Sequence, residues 1–153
     1  MNIENKKAVR GFTLVEALVA ITIVTVTVSG SLFAANSALV ASAISRDQLT
    51  ASYLAQEGIE YVRLLRDNEY LAAYPGNTSA AWGNFLTAIS GCSSSCNPTS
   101  LGFESKASFT GFTRTIQAIP MTDKDEKIVS TVSWDYHGTQ YSVTITDHLT
   151  PWQ

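Results

Sequence analysis

Gly11-Phe12-Thr13-Leu14-Val15-Glu16-Ala17-Leu18-Val19-Ala20-Ile21 opens a run that stays apolar as far as Ala35, and its reading decides the rest of the chain. Residues 14–35 number 22, which is about 33 Å as an α-helix. That matches a hydrocarbon core of about 30 Å. Residues 17–45 contain no Asp, Glu, Lys or Arg. The first eleven residues are polar and basic, with Lys6, Lys7 and Arg10 against Glu4. A cationic flank stays on the cytoplasmic side and sends the downstream chain outward. The expectation is a single-pass protein of the cytoplasmic membrane with its N-terminus inside.

The remaining composition agrees with this. The chain has 153 residues, enough for one small domain beyond the span. Charged residues make up 15%, where a soluble domain usually has about 25%. Ten Lys+Arg against thirteen Asp+Glu give a net charge of −3, so charge does not indicate nucleic acid as a partner. An apolar fraction of 45% excludes a disordered chain. Two cysteines are too few for a disulfide-dense scaffold.

Two features set the span apart from a plain anchor. Ile21-Thr22-Ile23-Val24-Thr25-Val26-Thr27-Val28 is an unbroken β-branched run, poor in helix propensity, with Gly30 close behind it. In lipid the helix still wins, because each backbone amide must find its partner within the segment. The second feature is Glu16, a carboxylate inside the apolar run. Such a group is by default a functional candidate. Ala41-Ser42-Ala43 is acceptable to a signal peptidase, but a signal peptide has an apolar region of about 7–15 residues, and this one is longer and holds Glu16.

Gly11-Phe12-Thr13-Leu14-Val15-Glu16, behind a short basic leader and ahead of about twenty apolar residues, resembles the class III leader of type IV prepilins and pseudopilins. The resemblance implies that residues 1–11 are a leader cut after Gly11 by a prepilin peptidase. It implies that the new amine of Phe12 is N-methylated and that Glu16 guides assembly with other pilin subunits. It also implies lipid as the surroundings before assembly, an inner-membrane assembly platform as a partner, and an extracellular pilus or pseudopilus as the destination. Leu54-Ala55-Gln56-Glu57-Gly58-Ile59-Glu60-Tyr61-Val62-Arg63-Leu64-Leu65-Arg66-Asp67 is similar to the distal first helix of many minor pilins. Val132-Ser133-Trp134, Gly138, Val143-Thr144-Ile145 and Leu149-Thr150-Pro151-Trp152 resemble the closing hairpin of PilV-like minor pilins. Many pilins carry a proline in the membrane half of the helix, and this segment has none.

Beyond the span, Ala51, Leu54, Ala55, Gly58, Val62 and Leu65 recur at three- and four-residue spacing, the mark of an amphipathic helix face. Four of the six are small or β-branched, so a sheet can approach closely. Glu60 with Arg63, and Arg63 with Asp67, are spaced to pair along the exposed side. Helix over 12–67 is 56 residues, about 84 Å. The division expected is a membrane or filament-core helix over 12–35, its amphipathic continuation over 36–67, a connecting region over 68–108 and an antiparallel sheet over 109–153. Within the connection, Tyr74-Pro75-Gly76-Asn77 is a turn signal and Ala80 to Ile89 reads as a short helix.

In the last third Phe112, Arg114, Ile116 and Ala118 alternate with Thr113, Thr115 and Gln117. Ile128, Val132, Trp134 and Tyr136 share one parity, and Tyr141, Val143 and Ile145 another. This is the period of half-buried antiparallel strands. Pro120 is expected to end the first strand, and Tyr136-His137-Gly138-Thr139 to form a hairpin turn. The fold class is α+β and type IV pilin-like: a long N-terminal helix packed on a small C-terminal antiparallel sheet.

The chemistry-bearing residues are few. Cys92-Ser93-Ser94-Ser95-Cys96 has no nearby His and makes a poor zinc site, since four ligands are usual. Outside the cytoplasm Cys92 and Cys96 fit a disulfide pinning this loop; two free thiols or a transient redox pair are the alternatives. Asp123-Lys124-Asp125-Glu126 offers carboxylates to Ca²⁺, but lysines flank it and the EF-hand spacing is missing, so a solvated acidic turn is expected. His137 and His148 have no nucleophile motif to serve. Trp82, Trp134 and Trp152 are read as core or edge packing. No catalytic residue, metal site or cofactor is expected. The chain reads as a structural minor pilin or pseudopilin, a substrate of an enzyme and not an enzyme itself. The alternative is a membrane-anchored extracellular adhesin or ligand-binding module that enters no filament.

Overall fold

The computed structural model describes residues 11–102 and 110–151. A long helix α1 (Leu14–Ala73) precedes a shorter α2 (Thr78–Ile89) and then strands β1 (Phe112–Thr122), β2 (Asp125–Tyr136) and β3 (Thr139–Leu149). The strands form one antiparallel sheet in the order β1-β2-β3. The chain is α+β, a long N-terminal helix with a small three-stranded sheet. It divides into two compact units, the first ending at Ala43 and the second beginning at Ile44. The helix α1 contributes to both.

In the first unit the helix begins at Leu14 and not at Phe12, because Thr13 caps it. The Thr13 Oγ1 accepts a hydrogen bond from the Glu16 backbone N–H at 3.3 Å, and the Thr13 carbonyl accepts from Ala17 N–H at 3.1 Å. The helix runs unbroken through the β-branched stretch and Gly30. The hydroxyls between Thr22 and Ser31 are satisfied within the helix. Thr22 Oγ1 donates to the Val19 carbonyl at 2.8 Å, Thr25 to Thr22 at 2.9 Å, Thr27 to Val24 at 2.9 Å, Ser29 to Thr25 at 2.7 Å and Ser31 to Val28 at 2.9 Å. An unpaired hydroxyl in hydrocarbon costs several kcal/mol, on the order of 4–8 in the alkane limit, so these bonds fit the segment to lipid.

In the second unit α1 lies on the sheet through Ala51, Leu54, Ala55, Gly58, Ile59, Val62 and Tyr70. Gly58 is the point of closest approach: a Cβ there would stand 2.7 Å from Ser130 Oγ and 3.2 Å from Arg114 Cδ. The Arg114 guanidinium enters this gap, donating to the Leu54 carbonyl at 2.7 Å and to Glu57 at 2.8 Å. Its place on the inner face of β1 thus has a polar partner in the helix backbone.

The helix runs six residues past the expected Asp67. Tyr70 is buried in the larger core cluster, and the turn signal at Tyr74-Pro75-Gly76-Asn77 supplies the stop. The second helix is more than connection. Ala81, Trp82, Phe85 and Ile89 join Ile59, Val62, Ile116, Ile128 and Leu149 in the larger core cluster. A smaller cluster gathers Ala51, Leu54, Ala55, Val132 and Trp134. There Phe112, Trp134 and Tyr141 sit in cross-strand register, with ring centroids 5.8 and 5.7 Å apart.

The inward parities of all three strands match the expected alternation. Pro120 does not end β1, which continues to Thr122 with a register shift between Pro120 and Thr122. The strand is at the sheet edge, where a proline leaves no ladder bond unmade. The hairpin between β2 and β3 turns at His137 (φ 52°) and Gly138 (φ 80°), the left-handed pair that a two-residue turn requires.

Candidate functional site

The first turn of α1 gathers the residues expected to carry function. Gly11 is exposed, and a Cβ built on it would meet nothing within 4 Å. Phe12 is exposed next to it. Glu16 occupies the third position of the helix, and its backbone N–H is the one that the Thr13 cap receives. The Thr13-x-x-Glu16 spacing is its signal in the sequence. A carboxylate in the first turn interacts favourably with the helix dipole, whereas an ammonium placed there does not. Cleavage before Phe12 would create such an ammonium two residues ahead of Leu14, with Glu16 four residues from it.

Behind this turn the helix surface is apolar and uncovered. Leu14, Val15, Leu18, Ile21, Val26 and Phe33 are all exposed. It is long and apolar enough to cross a membrane. Lys6, Lys7 and Arg10 lie outside the described residues, as does Trp152.

The other candidates fall in the second unit. Cys92 and Cys96 are joined by a disulfide, with Cα atoms 4.7 Å apart. Its function in the fold is at the edge of the sheet: Cys96 exchanges backbone hydrogen bonds with Ile116 of β1, at 2.8 and 2.9 Å. The loop thereby covers part of an edge that would otherwise present open donors and acceptors.

The acidic turn does not converge. Asp125 pairs with His148 Nδ1 at 3.0 Å, while Glu126 is buried on the opposite, inner face of β2. The Asp123 carbonyl accepts from Trp82 Nε1 at 2.9 Å. Among the described residues no three His, Cys, Asp or Glu side chains group as metal ligands. His137 packs edge-on against Tyr136 in its turn. Trp82 and Trp134 are core residues.

The charged face of α1 is organised differently from its expected spacing. Arg63 pairs with Glu60 at 2.6 Å, as the spacing predicts. Its remaining bonds go to Asp147 of β3, at 3.0 Å from Nε and 2.8 Å from Nη2, and not along the helix to Asp67. Asp67 holds Arg66 at 2.9 Å. The Asp147 bond, acting against desolvation, raises the Arg63 pKa and keeps it charged. Asp147 shares the parity of Tyr141, Val143 and Ile145, so its inward position is readable in the sequence; its partner is not.

Residues 6–32 match the family model for the prokaryotic N-terminal methylation motif. Among curated proteins and among solved structures the chain finds no match. The matched motif, with the long apolar helix behind it, is consistent with a type IV prepilin-like protein. The motif indicates pilin-type processing by a prepilin peptidase, anchoring in a membrane and assembly with other pilins.

Proposed function

We propose that this chain is a structural minor pilin or pseudopilin, cut after Gly11, N-methylated on Phe12 and assembled into a type IV pilus or a type II secretion-like filament. The carrying observation is the matched motif over 6–32, joined to a helix whose apolar surface is uncovered and whose one charged residue before Arg46 is Glu16. Before assembly the helix crosses the cytoplasmic membrane with its N-terminus inside, and lipid covers its side chains. In the filament neighbouring helices replace the lipid. The protein is a substrate of an enzyme and performs no catalysis of its own. The intact mass of membrane-extracted protein tests the reading. A mature chain beginning at methylated Phe12 is expected, with seven Lys+Arg and twelve Asp+Glu after loss of Lys6, Lys7, Arg10 and Glu4, a net charge of −5. A chain beginning at Ile44 would indicate ordinary signal peptidase and overturn it.

A further inference from the structure

Glu126 sits on the inner face of β2, between Pro120 of β1 and Leu149 of β3. It is 6% exposed. Among the described residues no hydrogen bond or ion pair reaches its carboxylate, and neither cross-strand neighbour can supply one. The charges adjacent in sequence are turned away or engaged: Lys127 has the opposite strand parity, and Asp125 is held by His148. A carboxylate set largely among apolar groups with no protein partner loses hydration without compensation and keeps water contact only on its open side. A fold does not gain by it.

This carboxylate opens on a cleft of about 260 Å³. Leu86 and Ile89 of α2 form one wall and Ala118 and Pro120 of β1 another, with Ser90 and Ser93 completing the lining. The volume is below the usual range for drug-sized ligands, about 300–1,000 Å³, and suits a chain of a few carbons. We propose that the cleft binds a primary ammonium on a short apolar stem, with the ammonium on Glu126 and the stem against Leu86, Ile89 and Ala118. A lysine side chain of a partner protein and a free alkylamine share this chemistry. Burial first, and then the Asp125 charge, push the Glu126 pKa upward. A bound cation opposes both effects and supplies the missing partner. The inference is independent of filament assembly, because every residue of the cleft lies in the second unit.

The test uses the full chain in detergent micelles, with methyl NMR signals of Leu86, Ile89 and Ala118 as reporters. n-Butylamine represents the free amine, and Nα-acetyl-lysine N-methylamide the peptide side chain. n-Butanol and Nα-acetyl-norleucine N-methylamide are their uncharged counterparts. At least one amine is expected to bind in the millimolar range, at least tenfold tighter than its uncharged counterpart. Which amine binds identifies the source. Glu126→Gln is expected to weaken binding at least tenfold. Ser93→Trp, at an exposed position of the lining that leaves the carboxylate in place, is expected to block entry. No saturable shift with either amine, affinity of both amines equal to that of their uncharged counterparts, or unchanged amine affinity in a folded Glu126→Gln protein would overturn the proposal.

Discussion

Glu16 has two physical roles open to it in one place. As the third residue of α1 it gives its backbone N–H to the Thr13 cap and places its carboxylate at the positive end of the helix dipole, a local contribution of about 0.3–1 kcal/mol. After cleavage it is also the one carboxylate in the apolar run, four residues from the Phe12 ammonium. Neither charge is favoured alone in a filament core, and pairing them between subunits or within one offsets both costs. Glu16→Leu is therefore expected to be inserted and cut, since the peptidase reads Gly11 and the leader, yet to be scarce in sheared filaments. Immunoblots of membrane and sheared fractions measure this, and equal recovery with wild type would make Glu16 a tolerated passenger. Glu126 makes a prediction of another kind. Its pKa is raised in the folded state above the ordinary glutamate value of about 4.3. The folded chain then binds that proton more tightly than the unfolded chain does. Its stabilising effect is full below about pH 4 and is lost as pH rises through the raised value. Wild type should lose stability relative to Glu126→Gln over that window, read as the difference in denaturation midpoints of the two full chains in one detergent. A difference that does not change with pH contradicts the burial argument.

The contact of α1 with the sheet depends on Gly58. By propensity alone Gly58→Ala in a helix interior gains about 1 kcal/mol. Here the added methyl meets Ser130 Oγ at 2.7 Å and crowds the Arg114 side chain that bonds the Leu54 carbonyl. Overpacking of this kind costs about 1–3 kcal/mol, so Gly58→Ala should destabilise. Ser130 Oγ is buried without a hydrogen-bond partner, so Ser130→Ala loses nothing by removing it. The double variant should recover most of the loss, a coupling that chemical denaturation of all four proteins measures. Additive effects would mean that Arg114, not Ser130, is the obstacle. The disulfide acts on a different element. Closing a loop of five residues stabilises by about 2 kcal/mol at most in the chain-entropy account. Its more specific effect is to hold Cys96 against Ile116 and so to cover the outer edge of β1.

Taken whole, the chain joins a helix suited to lipid with a domain suited to water. The first unit exposes an almost continuous apolar surface and satisfies the hydroxyls from Thr22 to Ser31 within the helix, while the second buries its own core under α1 and α2. Such a molecule should remain in the membrane pellet after alkaline carbonate washing and require detergent for release. Its appearance in the carbonate supernatant would show that the apolar helix is covered by something other than lipid.

The span, the processing motif and the strand alternation are all written in short-range patterns, and each is legible without coordinates. Hydropathy over twenty residues, Gly11-Phe12 with Glu16 behind it, and a period of two are local, and nothing distant overrides them. The cap at Thr13 is equally local, present in the Thr13-x-x-Glu16 spacing. Other features have no local signal. Pro120 continues β1 because that strand is at the edge, and sheet order is a property of the whole. Arg63 turns to Asp147 and Arg114 to Leu54 because the sheet brings those acceptors within reach across 84 and 60 residues. The residues of α2 read as a possible short helix, but that they carry the larger core depends only on the groups they meet. Sequence determined that there would be a membrane helix and a small sheet; tertiary structure decided which polar groups the sheet would bury, because burial is set by the partner and not by the residue.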